Sequence, residues 1–203
     1  EIVRLKKKYG ARVMVDEAHS VGVFGEGGRG TAEHFGLTQE CDLIMGTFSK
    51  SFASTGGYIA GDKDVVHYIR HAARPLIFTA AIPPASAAAA LAALDIIETE
   101  PERRAKLWAT ATKMKGWLKS AGFDTGATES QIIPIIVGED MALVYFWKRM
   151  YDLGVYTNAA VSPAVEPGHA LIRSSYMATH TEDQISRAFE IICQAGKELG
   201  VVN

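Results

Sequence analysis

Two short apolar runs, each followed at once by polar residues, constrain the fold of this 203-residue chain more than any other feature. Residues 12–15 lead into Asp16, and residues 43–46 lead into Thr47-Phe48-Ser49-Lys50. Short apolar runs separated by helical patterns are typical of buried strands in a parallel sheet. The pattern therefore predicts an α/β chain in which both polar clusters lie at the carboxyl edge of the sheet, where such folds bind ligands.

Proline, glycine and capping residues divide the rest of the chain into helices and strands. The pattern changes from a parallel α/β portion to a smaller α+β portion, which predicts a boundary near Glu100. The opening helix tail leads straight into a strand, which predicts that earlier parts of the same sheet precede Glu1. Predicted helices cover 1–10, 62–73, 84–99, 101–121, 140–153 and 182–199, and further strands cover 57–61, 131–137, 155–157 and 170–175.

The composition excludes several classes of protein. A net charge of −2 and a pI near 6.3 do not indicate the excess of basic residues that is typical of nucleic-acid-binding proteins. Cys41 and Cys193 are far apart without metal-ligand spacing, which favours a reducing compartment and predicts no metal site. The longest apolar stretch, near 85–97, is too short to span a bilayer. We therefore expect a cytoplasmic protein without a transmembrane segment, while peripheral contact with a membrane stays open.

Lys50 indicates the chemistry, because a lysine at the end of a buried strand is poorly explained by solubility. It can form a Schiff base with a carbonyl cofactor whose phosphate is held by the hydroxyls of Thr47 and Ser49. Asp16 can pair with a pyridinium nitrogen, and His19 with the phenolic oxygen or the substrate. Taken alone, Asp16 is also explained as a buried cap and His19 as a structural histidine. Together these residues predict pyridoxal phosphate chemistry.

Two other stretches match known sequence motifs but lack the neighbouring features that those motifs require. Asp16-Glu17-Ala18-His19 is also found in helicases, but these need a phosphate loop, and residues 46–51 have Ser49 where that loop needs glycine. Gly25-x-Gly27-x-x-Gly30 matches the dinucleotide fingerprint, but polar residues intervene after the strand and the following helix is weak. The sequence favours a surface loop there.

Arg173 is the only charge in the apolar stretch 171–175. A buried arginine needs an anionic partner, and its planar fork suits a substrate carboxylate. A structural ion pair explains it equally well at this point.

The motifs together resemble the α-oxoamine synthases, pyridoxal phosphate enzymes of fold type I that condense an amino acid with an acyl-CoA and release CO₂. The resemblance extends along essentially the whole chain, and these motifs in this order are highly specific. They are Asp16-Glu17-Ala18-His19-Ser20-x-Gly22, Gly25-x-x-Gly28-Arg29-Gly30, Gly46-Thr47-Phe48-Ser49-Lys50-Ser51 and Gly56-Gly57.

The resemblance implies the C-terminal half of such an enzyme, with a parallel-sheet part of the large cofactor-binding domain at 1–99 and a smaller α+β domain at 100–203. It also implies that Lys50 carries pyridoxal 5'-phosphate and serves as acid and base at the α-carbon. Asp16 would bind the pyridine nitrogen and His19 the phenolic oxygen.

Further roles follow from the same resemblance. Thr47 and Ser49 would contact the phosphate, with Thr79 reaching the phosphate of the neighbouring subunit in a homodimer with shared active sites. Arg173 would bind the amino-acid carboxylate. Many members have Arg-Pro-Pro where this chain has Val161-Ser162-Pro163, so carboxylate recognition would rest on Arg173 or on residues outside the chain.

Residues 47–51, 74–84 and 154–158 are most similar to the branch that condenses L-serine with a long-chain acyl-CoA to a 3-ketosphinganine-type product. The alternatives are branches that use glycine or alanine, forming 2-amino-3-ketobutyrate or 8-amino-7-oxononanoate. A non-catalytic subunit is a further alternative, against which the presence of Lys50, Asp16 and His19 argues. We expect the segment alone to be inactive and the activity to need a full-length homodimer.

Overall fold

The computed structural model describes residues 1–203, which divide into two compact units, residues 1–104 and residues 105–203. Each unit has its own three-stranded sheet. None of the helices is long and apolar enough to cross a membrane.

The sheet of the first unit joins the two polar clusters of the sequence. Strands β1 and β2 are parallel neighbours, with Asp16 opposite Met45, whereas β2 and β3 are antiparallel. Only residues 48–56 connect β2 to β3, too few for the crossover that a parallel pair requires. The strands are β1 (Met14–Asp16), β2 (Leu43–Thr47) and β3 (Gly57–Gly61).

Helices α1, α3 and α5 of the first unit lie where the sequence predicts helices, whereas the four-residue helices α2 and α4 were not predicted. Helix α1 ends at Gly10, which has a left-handed backbone (φ 61°) and donates its N–H to Lys6 O. The Asp62 side chain accepts hydrogen bonds from the first backbone N–H groups of α3. The helices are α1 (Ile2–Tyr9), α2 (Thr31–His34), α3 (Lys63–Ala72), α4 (Arg74–Ile77) and α5 (Pro84–Thr99).

The first unit has a small core in which Val21, Phe52 and Ala90 are the buried residues. The prediction that β1 and β2 are buried was wrong for most of their residues, since Met14 in β1 is 61% exposed and only Gly46 is buried in β2. Few side chains within residues 1–104 pack on these strands, so their side chains keep contact with solvent.

The second unit is an antiparallel sheet of order β4-β6-β5 with three helices around a well-filled core. Its centre includes Phe146, Met114 and Leu118, which are fully buried. The elements are α6 (Pro101–Ser120), β4 (Ile132–Gly138), α7 (Asp140–Asp152), β5 (Asn158–Ala160), β6 (Ala170–Ser175) and α8 (Glu182–Glu198), of which α6 begins at the end of the first unit.

One strand of the second unit lies later than predicted, at Asn158–Ala160 rather than at 155–157. The backbone groups of the earlier stretch already have partners on α7. Val155 donates its N–H to Met150 O at 2.9 Å, and the Thr157 carbonyl accepts the Trp147 indole N–H at 2.9 Å. The stretch therefore closes the end of the helix instead of pairing with a strand.

Candidate active site

The parallel pairing of β1 and β2 brings Asp16 and Thr47 to one edge of the first sheet. Asp16 ends β1 and Thr47 ends β2. The residue after Asp16, Glu17, donates its N–H to Met45 O at 2.7 Å. Asp16, His19, Thr47 and Lys50 therefore lie at or just beyond the carboxyl ends of two adjacent parallel strands, as the sequence predicts. This is the edge at which open α/β sheets bind ligands.

Asp16 is held by its own turn and keeps acceptor capacity. Its Oδ1 accepts the backbone N–H of Ala18 at 2.8 Å, and its other carboxylate oxygen accepts no hydrogen bond from the protein. Asp16 and His19 are both exposed, at the two ends of this turn. A carboxylate held in this way can accept a hydrogen bond from a protonated ring nitrogen.

The hydroxyl groups beside Lys50 form a small cluster of donors. Thr47 Oγ1 lies 2.9 Å from Ser49 Oγ and 3.3 Å from Gly56 O. The Ser49 N–H donates to Thr47 Oγ1 at 3.3 Å. Hydroxyl groups rotate freely enough to turn from one another towards an anion, so the cluster fits the phosphate of a cofactor.

Lys50 follows this cluster, with its side chain exposed to solvent. Its ammonium group takes part in no hydrogen bond or ion pair of the chain. A primary amine without a protein partner, beside donors suited to a phosphate, matches what a carbonyl cofactor with a phosphate group requires. The residues present therefore fit pyridoxal phosphate.

Sequence reasoning missed the residues that hold the Lys50 loop in place. Phe52 is buried and packs edge-on against Phe48, with ring centroids 5.2 Å apart. Ser51 Oγ donates to Val21 O at 2.7 Å, which joins the Lys50 loop to the segment that follows His19. Aromatic residues on either side of Lys50 at 48 and 52 are the signal in the sequence that could have found this anchor.

The glycine-rich loop at residues 25–30 is held by a carboxylate of the chain, that of Glu33. Glu33 accepts the N–H groups of Gly27 at 3.2 Å and Arg29 at 2.8 Å. Helix α2 beyond the loop has only four residues. These N–H groups, which a dinucleotide would need, are already paired within the chain, which agrees with the surface loop that the sequence favours.

Tyr58 of β3 covers Gly46 and packs beside Phe48. Burial, with a smaller contribution from the negative charge of Glu17, raises the pKa of the Tyr58 hydroxyl. The phenol therefore stays protonated around neutral pH.

Thr79, predicted to reach the phosphate of a neighbouring subunit, lies in an exposed segment just after α4. Its hydroxyl donates to the carbonyl of Pro75, so donation to a phosphate would require this bond to break. It makes no hydrogen bond to Thr47 or Ser49.

Arg173 lies in the second unit, half-buried in the middle of β6 and opposite Pro134 of β4 and Asn158 of β5. Val161, which follows β5, is partly buried and packs against the core of this unit. Its side chain therefore contributes to packing at the position where many α-oxoamine synthases have arginine.

Known proteins match nearly the whole length of this chain. The model of the aminotransferase class I and II family matches residues 1–192. The chain is 51% identical over 202 residues to serine palmitoyltransferase of Bacteroides ovatus, covering 100% of this chain and 51% of the relative. It is 39% identical over 202 residues to 8-amino-7-oxononanoate synthase of Thermoanaerobacter pseudethanolicus, covering 100% and 51%.

A solved structure of serine palmitoyltransferase with its pyridoxal phosphate internal aldimine superposes with a TM-score of 0.95 at 38% identity. The match covers 99% of this chain and 51% of the other. The chain thus spans about half the length of the relatives that it matches.

The fold is that of the pyridoxal-phosphate-dependent transferases of fold type I. The chain belongs to the aminotransferase class I and II family and, within it, to the α-oxoamine synthases.

Proposed function

We propose that a protein containing this chain joins L-serine to a long-chain acyl-CoA, as a serine palmitoyltransferase. One carbon–carbon bond forms between the serine α-carbon and the acyl carbonyl carbon. The thioester carbon–sulfur bond breaks, the carboxylate leaves as CO₂, and CoA is released with a 3-ketosphinganine-type product. The 51% identity to serine palmitoyltransferase, at a site with Lys50 and Asp16 in place, carries this proposal.

When bound, pyridoxal phosphate supplies an electron-withdrawing ring that stabilises negative charge at the amino-acid α-carbon. Lys50 would hold this group through Nζ and would move the proton at the α-carbon. The Asp16 carboxylate holds the proton on the ring nitrogen, because an adjacent negative charge favours the charged form. His19 donates to or accepts from the phenolic oxygen, and Thr47 orients the phosphate together with Ser49.

Arg173 is proposed to bind the carboxylate of the amino acid, since a guanidinium makes paired hydrogen bonds to such a group. Thr79 is proposed to act across a homodimer interface on the phosphate in the neighbouring subunit. These roles, the cytoplasmic location and the homodimer stay predictions.

The second candidate is condensation with glycine or alanine instead of serine. The 39% identity to an 8-amino-7-oxononanoate synthase favours it, and it uses the same lysine, aspartate and hydroxyl residues. The two candidates differ in the amino acid and in the acyl group, not in the chemistry at Lys50.

The first experiment tests whether Lys50 carries the cofactor. In the full-length protein, Lys50→Ala should abolish the lysine-bound cofactor's visible absorption band, while Lys63→Ala, at the exposed start of α3, should keep it. Covalent attachment is then measured by mass spectrometry after borohydride reduction. A wild-type protein without this band, or a modified peptide that lacks Lys50, would refute the enzyme proposal.

The second experiment separates the two candidates. The absorption spectrum of the loaded protein is recorded during titration with L-serine, glycine and L-alanine. A saturable change with serine at the lowest concentration supports the proposal, and a response to glycine or alanine without one to serine rejects it.

A further inference from the structure

Glu17 is the only charged side chain of this chain that is buried, with none of its surface exposed. It lies between Asp16 and His19, the two residues proposed to face the cofactor ring, yet it points away from solvent. It takes no part in the proposed contacts to the cofactor or the substrate. Burial of a carboxylate is costly unless hydrogen bonds compensate for the lost contact with water.

The Glu17 carboxylate is satisfied by three donors within the chain. It accepts the backbone N–H groups of Thr31 and Ala32, each at 2.7 Å, and the hydroxyl of Ser20. Glu17 forms no salt bridge, so these hydrogen bonds alone stabilise its charge. The side chain thereby ties the segment after β1 to the start of α2, just beyond the glycine-rich loop.

The backbone of Glu17 is held as firmly as its side chain. Its N–H donates to Met45 O at 2.7 Å, and its carbonyl accepts from Ser20 N at 3.0 Å and from Val21 N at 2.9 Å. The turn that begins at Asp16 and contains His19 is therefore joined to β2 through the backbone. It is joined to residues 31–32 through the carboxylate.

Gly30 leaves free the space that the Glu17 carboxylate occupies. Gly30 has φ 112°, a conformation that other residues rarely adopt, and a Cβ there would lie 2.5 Å from the Glu17 carboxyl carbon. Any side chain at this position would push the carboxylate out of its site.

We propose that Glu17 is a positioning residue, whose buried carboxylate fixes the turn that presents Asp16 and His19 to the cofactor ring. The inference rests on the proposed function for the part that concerns the cofactor. Glu17 touches neither substrate nor cofactor in this proposal and acts only through Asp16 and His19.

Glu17→Gln in the full-length protein tests this with little change in side-chain size. The amide has one acceptor oxygen and an NH₂ donor, so one backbone N–H of Thr31 or Ala32 faces a donor. Glu33→Gln is the matched control, because Glu33 also accepts two N–H groups of the glycine-rich loop but makes no hydrogen bond to the Asp16 turn.

Two measurements distinguish a positioning role from a purely structural one. The first is amide hydrogen exchange at Ser20 and Val21 in the cofactor-free protein, which should become about tenfold faster in Glu17→Gln, the effect of one lost buried hydrogen bond. The second is the protonation of the ring nitrogen in the loaded protein, followed by NMR of a ¹⁵N-labelled cofactor. Displacement of Asp16 should lower the pKa of this nitrogen, since the nearby carboxylate favours the protonated form.

The proposal is supported if both changes occur in Glu17→Gln and neither in Glu33→Gln. It is overturned if the two variants behave alike, or if Glu17→Gln leaves the ring nitrogen as in the wild type. If Glu17→Gln does not fold, Ser20→Ala removes only one donor, and the same two measurements then decide in the same way.

Failure of the proposed function gives a different result. A wild-type protein that binds no cofactor refutes the enzyme proposal. The measurement on the ring nitrogen can then not be made. Hydrogen exchange in the cofactor-free protein then still decides whether Glu17 holds the turn.

Discussion

Two glycines within regular secondary structure, Gly46 and Gly116, differ in the space around them. Gly46 lies in β2, directly under the ring of Tyr58, and a Cβ at this position would overlap that ring. Gly116 lies within α6, and a Cβ there would meet nothing within 4 Å. The same substitution therefore has opposite effects at the two positions.

Gly46→Ala should destabilise the protein by about 2 kcal/mol, because the Tyr58 ring must move from its packed position. Gly116→Ala should stabilise it by about 0.5–1 kcal/mol, because glycine is a poor residue for a helix interior. Urea unfolding of the two variants measures both effects. Equal changes at both positions would contradict the packing of Tyr58 on Gly46.

At the scale of elements, Asp42 holds the start of the first sheet together. Its carboxylate forms an ion pair with Lys6 of α1 at 2.7 Å and accepts the Val13 N–H at 2.8 Å, with Arg12 at 3.1 Å. The hydrogen bond from Lys6, followed by that from Val13, holds the pKa of Asp42 well below its usual range. Helix α1 and the two parallel strands thus meet at one charged residue.

Asp42→Asn should lower the melting temperature at pH 7, and the difference from wild type should shrink as the pH falls. The pKa is lower in the folded than in the unfolded chain, so this contribution is complete above the unfolded value of about 3.9 and is lost on further acidification. Thermal unfolding at pH 7 and at successively lower pH measures this. Glu40→Gln, which removes an exposed partner of Lys7, is the control and should have little effect. A difference that stays constant with pH would contradict the assignment.

Thr181-x-x-Gln184 is the sequence signature of a capping box, and the structure has this box at the start of helix α8. Thr181 Oγ1 accepts the Gln184 N–H at 3.2 Å, and Gln184 Oε1 accepts the Thr181 N–H at 2.9 Å. Thr181→Ala should therefore destabilise the second unit by about 1 kcal/mol, and Thr181→Ser should retain most of the stability. Thr179→Ala, at an exposed position outside the cap, is the control. Urea unfolding decides, and equal losses at 179 and 181 would argue against the cap.

At the scale of the whole molecule, local signals predicted more than non-local ones. The helix ends at Gly10 and Thr181 follow from residues next to them in sequence, and the edge that carries Asp16 and Lys50 follows from strand order. The role of Glu17 could not be predicted, because two of its partners lie 14 and 15 residues away at the start of α2, beyond a glycine-rich loop whose course depends on three positive-φ glycines. The late position of β5 likewise depends on backbone groups that α7 occupies first.

The two units differ in how completely their cores are filled. Fifteen buried apolar residues form the core cluster of the second unit, against three in that of the first, whose α5 leaves Leu91 64% exposed. Stability from apolar burial should therefore be concentrated in residues 105–203 of this chain.

Hydrogen exchange of the 203-residue chain should accordingly show stronger protection in residues 105–203 than in residues 1–104. Leu143→Ala, at a fully buried position of α7, should cost about 2–5 kcal/mol and accelerate exchange in the second unit. Leu91→Ala should cost less than about 0.5 kcal/mol in the same chain, because its side chain has little contact to lose. Exchange followed by mass spectrometry on peptides from each unit tests the contrast. Equal protection in the two units, or equal costs of the two leucine variants, would show that the first unit is as firmly packed as the second.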